Sequence, residues 1–442
     1  MIAQTARALV ALGLVWYFVA GSSDPHAADF KSFYSAGFTI THPGIPLYDT
    51  KELADNPFGQ VFKLPPTAAL LLAPFSLGTE QQGRLAWRAG LVISYLAAFG
   101  LLCQNFGVRF LSWTWSALLA AWCLFAPAQI SVGEGQWDPF FLLLLAAAAV
   151  GVQSTRPALA GLPLGLAASI KLYPIAAALF FVGRRYWSGL ALTIAGLSAL
   201  LLLGAVAVGF EETSVFVTQV LPASGATTAY PDNQALGGAI ARLVSSDLKP
   251  LPLQAPGVDL AIRLVAVLAT AAATWIIWRA PADDGFDRAL QLALLVALSV
   301  LVVPVAWSHY QTILLLPLTL LTLDQSRHHR REYLGWLVLG VGFVLLALPN
   351  PAMIIGDDLD RALWLRSRAD AANLALQRQF PTPLSRLLLS YKTLGALLVL
   401  GLTAWRVARA QPSMAPTMAD SQAAASSLAN ATLAGARPRA AG

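Results

Sequence analysis

Apolar runs separated by short polar stretches recur along almost the whole chain. The first covers 7–20 and begins at a single basic residue, Arg7. A shorter run at 64–77 opens on Pro65-Pro66 and is expected to tilt or insert only partly. Further runs lie at about 86–104, 111–126 and 139–153. The run at about 157–183 contains Lys171 and Pro174 and is predicted to kink there, because proline lacks the amide proton a helix interior needs. The rest lie at about 187–209, 259–278, 287–305, 310–323, 333–348 and 389–407. Against the roughly 20 residues needed to cross a bilayer, the pattern predicts an all-α membrane protein with about 11–12 transmembrane helices. A cleaved signal peptide competes for the first run, since Ala27-Ala28 follow it, but the many later spans make an uncleaved helix more natural.

Composition agrees with the pattern. The 442 residues are 57% hydrophobic and only 12% charged, with mean hydropathy +0.62, more apolar surface than a water-soluble fold can hide. The net charge of +6 does not point to nucleic acid, because the basic residues are scattered at the ends of apolar runs. Cys103 and Cys123 lie inside apolar runs and imply no disulfide framework. Nothing resembles a Cys/His metal cluster, so neither metal nor cofactor is expected. Residues 1–410 are read as one polytopic membrane domain, and 411–442, rich in Ala, Ser and Pro, as a disordered cytoplasmic tail.

Basic residues also set an orientation. Arg184-Arg185, Arg279, the cluster from Arg327 to Arg331, and Arg406 with Arg409 each follow a span. Counting crossings from a cytoplasmic start puts all of them inside, and puts the stretch 28–49, the loop 211–258, Ser308-His309 and the segment 349–386 outside. One motif resists. The same count puts Gly133-Glu134-Gly135-Gln136 inside, unless 64–77 re-enters and the Lys171 run is two half-helices.

The polar residues that interrupt apolar surroundings are the candidates for chemistry. Asp29 follows the first span directly, with Phe30, Phe33 and Tyr34 beside it. A carboxylate among interfacial aromatics suits a substrate that is half lipid and half sugar, although a solvated loop acid is the plainer reading. Lys171 lies within an apolar run and is either a cation for a phosphate or a lysine snorkelling to the interface. His309 sits at the end of its span, on the same side as Asp29. Gly135-Gln136-Trp137-Asp138 and Asp232-Asn233-Gln234 carry amides and carboxylates of the kind that hold sugar hydroxyls.

Together these pieces resemble glycosyltransferase family 87, polyprenol-phosphate-sugar-dependent enzymes of the GT-C membrane fold. The likeness lies in order and spacing over most of the chain. It begins with Asp29-Phe30-x-x-Phe33-Tyr34-x-Ala36-Gly37 and Pro46-Leu47-Tyr48-Asp49, then Pro65-Pro66. It continues with Gly135-Gln136, Lys171-x-x-Pro174, Asn233-Gln234-x-Leu236-x-Gly238 and Trp307-Ser308-His309. Two positions depart from the family pattern: Tyr310 stands where a second histidine is common, and Leu64 where a tyrosine often precedes the prolines. The resemblance implies a polyprenyl-phosphate donor of mannose or a related hexose or pentose, used on the outer face of the membrane. It also implies a glycan or glycolipid acceptor, Asp29 as general base and His309 against donor phosphate or acceptor. Tyr34, Lys171, Gln136, Asn233, Gln234 and Arg242 are taken as substrate-binding. A single base without a partner nucleophile suggests one displacement with inversion. The alternatives are a secondary transporter, which would also carry intramembrane charges and a broken helix, and a lipid-linked sugar flippase or scaffold, which would not need Asp29.

Overall fold

The computed structural model describes residues 2–23, 27–42, 44–48, 62–154, 156–281, 284–328, 331–365 and 367–410. Asp49 and the proposed tail at 411–442 lie outside the described residues. Every regular element among them is helical.

Helix α1 (Ile2–Gly21) leads to α2 (Ala28–Thr41), so Asp29 lies in the first turn of a helix and not in a loop. The small pair Ala36-Gly37 lets α2 dock closely on α3 (Pro66–Leu72) and the tight turn Ala73–Ser76 after it. A β-carbon on Gly37 would meet Ser76 Oγ at 2.4 Å. Helix α4 (Glu80–Asn105) starts at a capping box in which Thr79 and Gln82 satisfy each other's backbone amides. Next come α5 (Trp113–Cys123) and α6 (Ala126–Glu134), an apolar pair bent by 53° at the break Leu124-Phe125, just before Pro127. Helix α7 (Asp138–Gln153) follows a short turn. The 157–183 run divides into α8 (Gly161–Ile170), a 3-10 segment (Tyr173–Ala178) and α9 (Leu179–Arg184), with the break at Lys171.

Beyond α10 (Trp187–Val208), two short helices, α11 (Phe210–Val215) and α12 (Leu221–Ser224), lead to the amphipathic α13 (Leu236–Val244). Then α14 (Pro256–Arg279), α15 (Gly285–Val302), α16 (Leu315–His328) and α17 (Tyr333–Ala347) run back and forth. The segment 349–386, which the sequence pattern leaves without structure, is a layer of four short helices. These are α18 (Pro351–Ile355), α19 (Asp357–Trp364), α20 (Ala369–Gln379) and α21 (Pro383–Leu387), and α22 (Tyr391–Arg409) closes the bundle. The layer has its own small core of Tyr230, Leu248, Leu363, Leu376 and Leu389 and sits over the 225–255 loop.

Helix α15 is buried along nearly its whole length and forms the centre of the bundle. Helices α1, α10 and α14 keep Leu9, Trp16, Leu202, Val206, Leu264 and Trp275 exposed. Helices this apolar on their outer faces are stable only in lipid. Among the described residues, six helices are long and apolar enough to cross, seven with the bent α5–α6 pair, and five more apolar segments are shorter. The sequence-based figure of 11–12 counts every apolar run as a crossing, and breaks at Leu124-Phe125, Lys171 and Pro174 are what shorten several of them.

Side-chain bonds between loops sort the turns into two ends. At one end Arg184 donates to the carbonyls of Ile277 and Ala280, Arg288 to those of Val152 and Gln153, and Arg327 to that of Phe106, while Arg406 pairs with Glu332. At the other, Glu212 accepts from the amides of Leu47 and Tyr48, and Gln136 reaches Asp29. The Gly133–Asp138 motif therefore shares an end with Asp29. This is the arrangement in which the Lys171 run turns back as two half-helices, and the basic clusters all gather at the opposite end.

Candidate functional site

Four stretches far apart in sequence converge at the end that carries Asp29. Ala27, in the left-handed region at φ 36°, starts α2, and Asp29 in its first turn faces the positive end of the helix dipole, which favours a carboxylate. Gln136 Nε2 donates to Asp29 Oδ2 at 2.5 Å. Gly135 makes this reach possible. It ends α6 at φ 80°, and a β-carbon there would press on Phe30 Cβ at 2.9 Å. Its carbonyl accepts from Trp87 Nε1 at 2.7 Å, which fixes the turn.

The same turn delivers Asp138 to the start of α7, fully buried. Asp138 accepts from Ser131 Oγ and from Tyr173 OH, both at 3.3 Å. His309, also buried, points Nδ1 at Asp138 Oδ2 (3.6 Å) and Glu134 Oε2 (3.9 Å). Those separations are too long for hydrogen bonds, and Nδ1 has no hydrogen-bond partner among the described residues. Lys171 ends α8 with extended backbone, and Pro174 prevents the helix from resuming at once. Its Nζ lies 3.5 Å from the centroid of the Tyr310 ring, which in turn stacks on Tyr173 at 5.3 Å. The ammonium is within electrostatic reach of both Asp138 and Asp29. Tyr310, which departs from the family pattern, thus serves as a cation–π platform for Lys171.

Asp29, Gln136, Lys171 and His309 are therefore brought together. Asp138, named with Gln136 among the groups that could hold sugar hydroxyls, joins them, as do three residues that sequence reasoning did not assign to the site: Glu134, Tyr173 and Tyr310. Asp138 left a signal, being an acid between a glycine-ended helix and a proline at the start of the next, a position that fixes a carboxylate at a helix N-terminus.

The remaining candidates bond within the protein. Tyr34 OH donates to the Gly78 carbonyl at 2.8 Å and ties α2 to the turn before α4. Asn233 donates to the carbonyls of Thr228 and Pro304 and accepts from the amides of Ala235 and Ala306. Gln234 Nε2 bridges the carbonyls of Pro231 and Leu389, both at 2.7 Å, and its Oε1 accepts from the Thr393 amide. Arg242, fully buried, donates to Ser390 Oγ and to the carbonyls of Tyr230 and Asn233, all within 2.9 Å. These three were expected to touch substrate, but their polar groups bond within the protein. They hold the 228–235 loop against the bundle and the helical layer.

That loop also presents Asp232, which accepts from Ser308 Oγ directly beside His309. Burial pushes the Asp232 carboxyl up to about 7; the Ser308 bond opposes this, Asp360 adds to it and Lys392 opposes it. Tyr230 donates to Asp360 and accepts from Trp364 Nε1, which couples the layer to the same loop. Among the described residues, no group of three or more His, Cys, Asp or Glu side chains is arranged to hold a metal ion.

Comparison with known proteins bears on this arrangement. Two curated relatives are the polyprenol-phosphate-mannose-dependent alpha-(1-2)-phosphatidylinositol pentamannoside mannosyltransferases of Mycobacterium tuberculosis and Mycolicibacterium smegmatis. The first is 28% identical over 346 residues, 76% of this chain and 74% of its own. The second is 29% identical over 347 residues, 76% and 78%. Two solved structures of ArnT from Cupriavidus metallidurans, one bound to undecaprenyl phosphate and one in the apo state, align with TM-scores of 0.44 and 0.39 at 15% and 14% identity. They cover 91% and 92% of this chain and 77% and 78% of theirs, and no feature of the site rests on that likeness. The profile of glycosyltransferase family 87 matches residues 62–304, more than half of the chain. With its helices built for lipid and its polar centre gathered at one end, the chain belongs to that family and is a membrane glycosyltransferase.

Proposed function

We propose that this glycosyltransferase moves a sugar, mannose first among hexoses and pentoses, from a polyprenyl-phosphate carrier to a hydroxyl of a glycan or glycolipid. The observation that carries the reading is the meeting of Asp29, Gln136, Lys171 and His309 around one centre. The donor and acceptor classes are taken from the names of the curated relatives.

In this reading Asp29 removes the acceptor hydroxyl proton as that oxygen bonds to the anomeric carbon. Gln136 holds one carboxylate oxygen and orients the carboxylate for the acceptor. The bond from the anomeric carbon to the phosphate oxygen breaks, and the lipid phosphate leaves with the electron pair. Lys171, held on Tyr310, and His309 balance the charge that develops on it. One base and one displacement invert the anomeric carbon.

The centre is read as extracytoplasmic in the cell membrane, because the basic clusters gather at the opposite end. Both native cysteines are buried, so labelling can test this cleanly. An impermeant thiol reagent applied to whole cells should modify Ser246→Cys and not Ser154→Cys, both exposed positions. The opposite pattern reverses the sides.

The decisive assay uses purified protein in vesicles with radiolabelled polyprenyl-phosphate-mannose and a phosphatidylinositol mannoside. Labelled acceptor and free polyprenyl phosphate are expected. Label that crosses the bilayer without transfer would mean a transporter or flippase. In the same assay Lys171→Met should weaken donor binding by about 10- to 100-fold, the worth of a charged hydrogen bond to phosphate, with Lys171→Arg keeping part of it. Normal donor binding by Lys171→Met would return the lysine to a snorkelling role.

A further inference from the structure

Loop residues Asp232, Asn233 and Gln234 are strapped to the stretch 304–308 almost residue by residue. Gln234 N donates to the Ala306 carbonyl at 2.7 Å, Ala306 N to Asn233 Oδ1 at 3.0 Å, and Asn233 Nδ2 to the Pro304 carbonyl at 3.1 Å. Ser308 completes the series: its Oγ donates to Asp232, and its backbone amide bonds to the same carboxylate. Ser308 is also the first residue of a 3-10 segment, Ser308–Leu314, which carries His309 and Tyr310.

A 3-10 helix turns by about 120° per residue, so three successive side chains point in three directions. Ser308 meets Asp232, His309 faces Asp138 and Glu134, and Tyr310 takes the Lys171 ammonium and stacks on Tyr173. Fixing the first of the three therefore fixes the rotation of the other two. His309 depends on this, because its Nδ1 has no hydrogen-bond partner among the described residues and its two carboxylates stand 3.6 and 3.9 Å away. The ring is set from its backbone, and the backbone is held one residue earlier.

Stability alone does not account for a carboxylate at this place. Asp232 is half-buried, and Asp360 adds a second negative charge within electrostatic reach. The cations within reach bond elsewhere: Lys392 Nζ donates to the Leu346 and Leu348 carbonyls, and Arg242 to Tyr230, Asn233 and Ser390. Enclosing a charge beside a like charge costs stability. In return, an ionised carboxylate accepts at both oxygens and holds the Ser308 hydroxyl and amide in bonds about twice as strong as neutral ones.

We propose that Asp232 is a positioning residue, which through Ser308 sets the rotation of the 308–310 turn and so places His309 and the Tyr310–Lys171 pair against the donor phosphate. This rests on the transfer reaction proposed above. Asp232 itself touches no substrate.

D232A, D232N, S308A and D232A/S308A test this as purified full chains. Each is read by transfer, by thermal midpoint, and by binding of farnesyl phosphate without turnover. D232A should lower kcat by about 10- to 100-fold, the usual consequence of a misplacement of about 1 Å, with acceptor KM close to that of the wild type. D232N keeps an acceptor oxygen for Ser308 and should recover much of that loss. Its thermal midpoint should equal or exceed that of the wild type, because an enclosed charge is gone. S308A keeps the backbone amide and should lose less than D232A. The double variant should be no slower than D232A, because the pair acts as one unit. Farnesyl phosphate should bind D232A about five- to tenfold more weakly than the wild type. Losses that add in the double variant, a raised acceptor KM, or turnover that falls only in step with the thermal midpoint would each overturn the proposal. An active enzyme whose D232A variant binds and turns over as the wild type does would sink this proposal alone. Farnesyl phosphate bound in the expected pattern by a protein that transfers no sugar would sink the transfer reaction and leave the placement of the phosphate-facing groups standing.

Discussion

Asp29→Asn is expected to fold, insert and bind donor, and to lose sugar transfer by a factor on the order of 10² to 10⁴, the usual share of a positioned base. Asparagine keeps the size and one acceptor oxygen, so the Gln136 contact at 2.5 Å can persist, but it cannot take the acceptor's proton. The effect should therefore fall on turnover and leave donor affinity intact. Two other carboxylates lie close enough to serve as rivals. Glu134 is 3.9 Å from His309, and Asp138 is buried against Ser131, Tyr173 and His309. Glu134→Gln and Asp138→Asn variants that abolish transfer beside an active Asp29→Asn would show that the base had been misassigned.

Arg242→Met should act on the opposite quantity. The guanidinium holds three acceptors on the 228–235 loop and at the start of α22, and its removal leaves the Asn233 carbonyl and the Ser390 hydroxyl buried without a donor, while the Tyr230 carbonyl keeps only the Asn233 amide. Unsatisfied buried polar groups cost about 1–3 kcal/mol each. The expected outcome is a protein destabilised by on the order of 3 kcal/mol or more, read as a large fall in thermal midpoint and in folded yield from membranes. Any Arg242→Met that does fold should bind donor almost normally. A stable variant with a raised donor KM would restore this arginine to direct substrate contact.

The helical class and the approximate position of nearly every apolar helix were legible in hydropathy alone, because lipid imposes long apolar runs. The number of full crossings was not. Hydropathy does not distinguish a crossing from two half-helices meeting at Lys171, and the Gln136–Asp29 contact put the 133–138 motif at the same end as Asp29. Within the site, Asp29 and His309 stood out as polar residues where lipid disfavours them, and Lys171 for the same reason. Asp138 was legible as a carboxylate of the Gly135–Asp138 motif, but not its meeting with His309 and Tyr173. Asn233, Gln234 and Arg242 illustrate that, in sequence, a polar motif in a loop looks the same whether it binds a ligand or the loop itself. What separates the two is whether its donors are already bonded, and that depends on Pro304, Leu389 and Ser390, far along the chain. The 349–386 layer escaped notice because its helices are of at most 11 residues and draw their stability from packing on Tyr230 and Leu248.

The reading of Asp29 as a base acting on the acceptor, in a single displacement, is tested most directly by the anomeric configuration of the transferred sugar. Donor of known configuration is turned over by the purified wild-type enzyme, and the new linkage is assigned by NMR. Inversion at the anomeric carbon is the predicted result. Retention would require a covalent glycosyl–enzyme intermediate, with a carboxylate attacking the sugar itself, and would contradict the role given to Asp29.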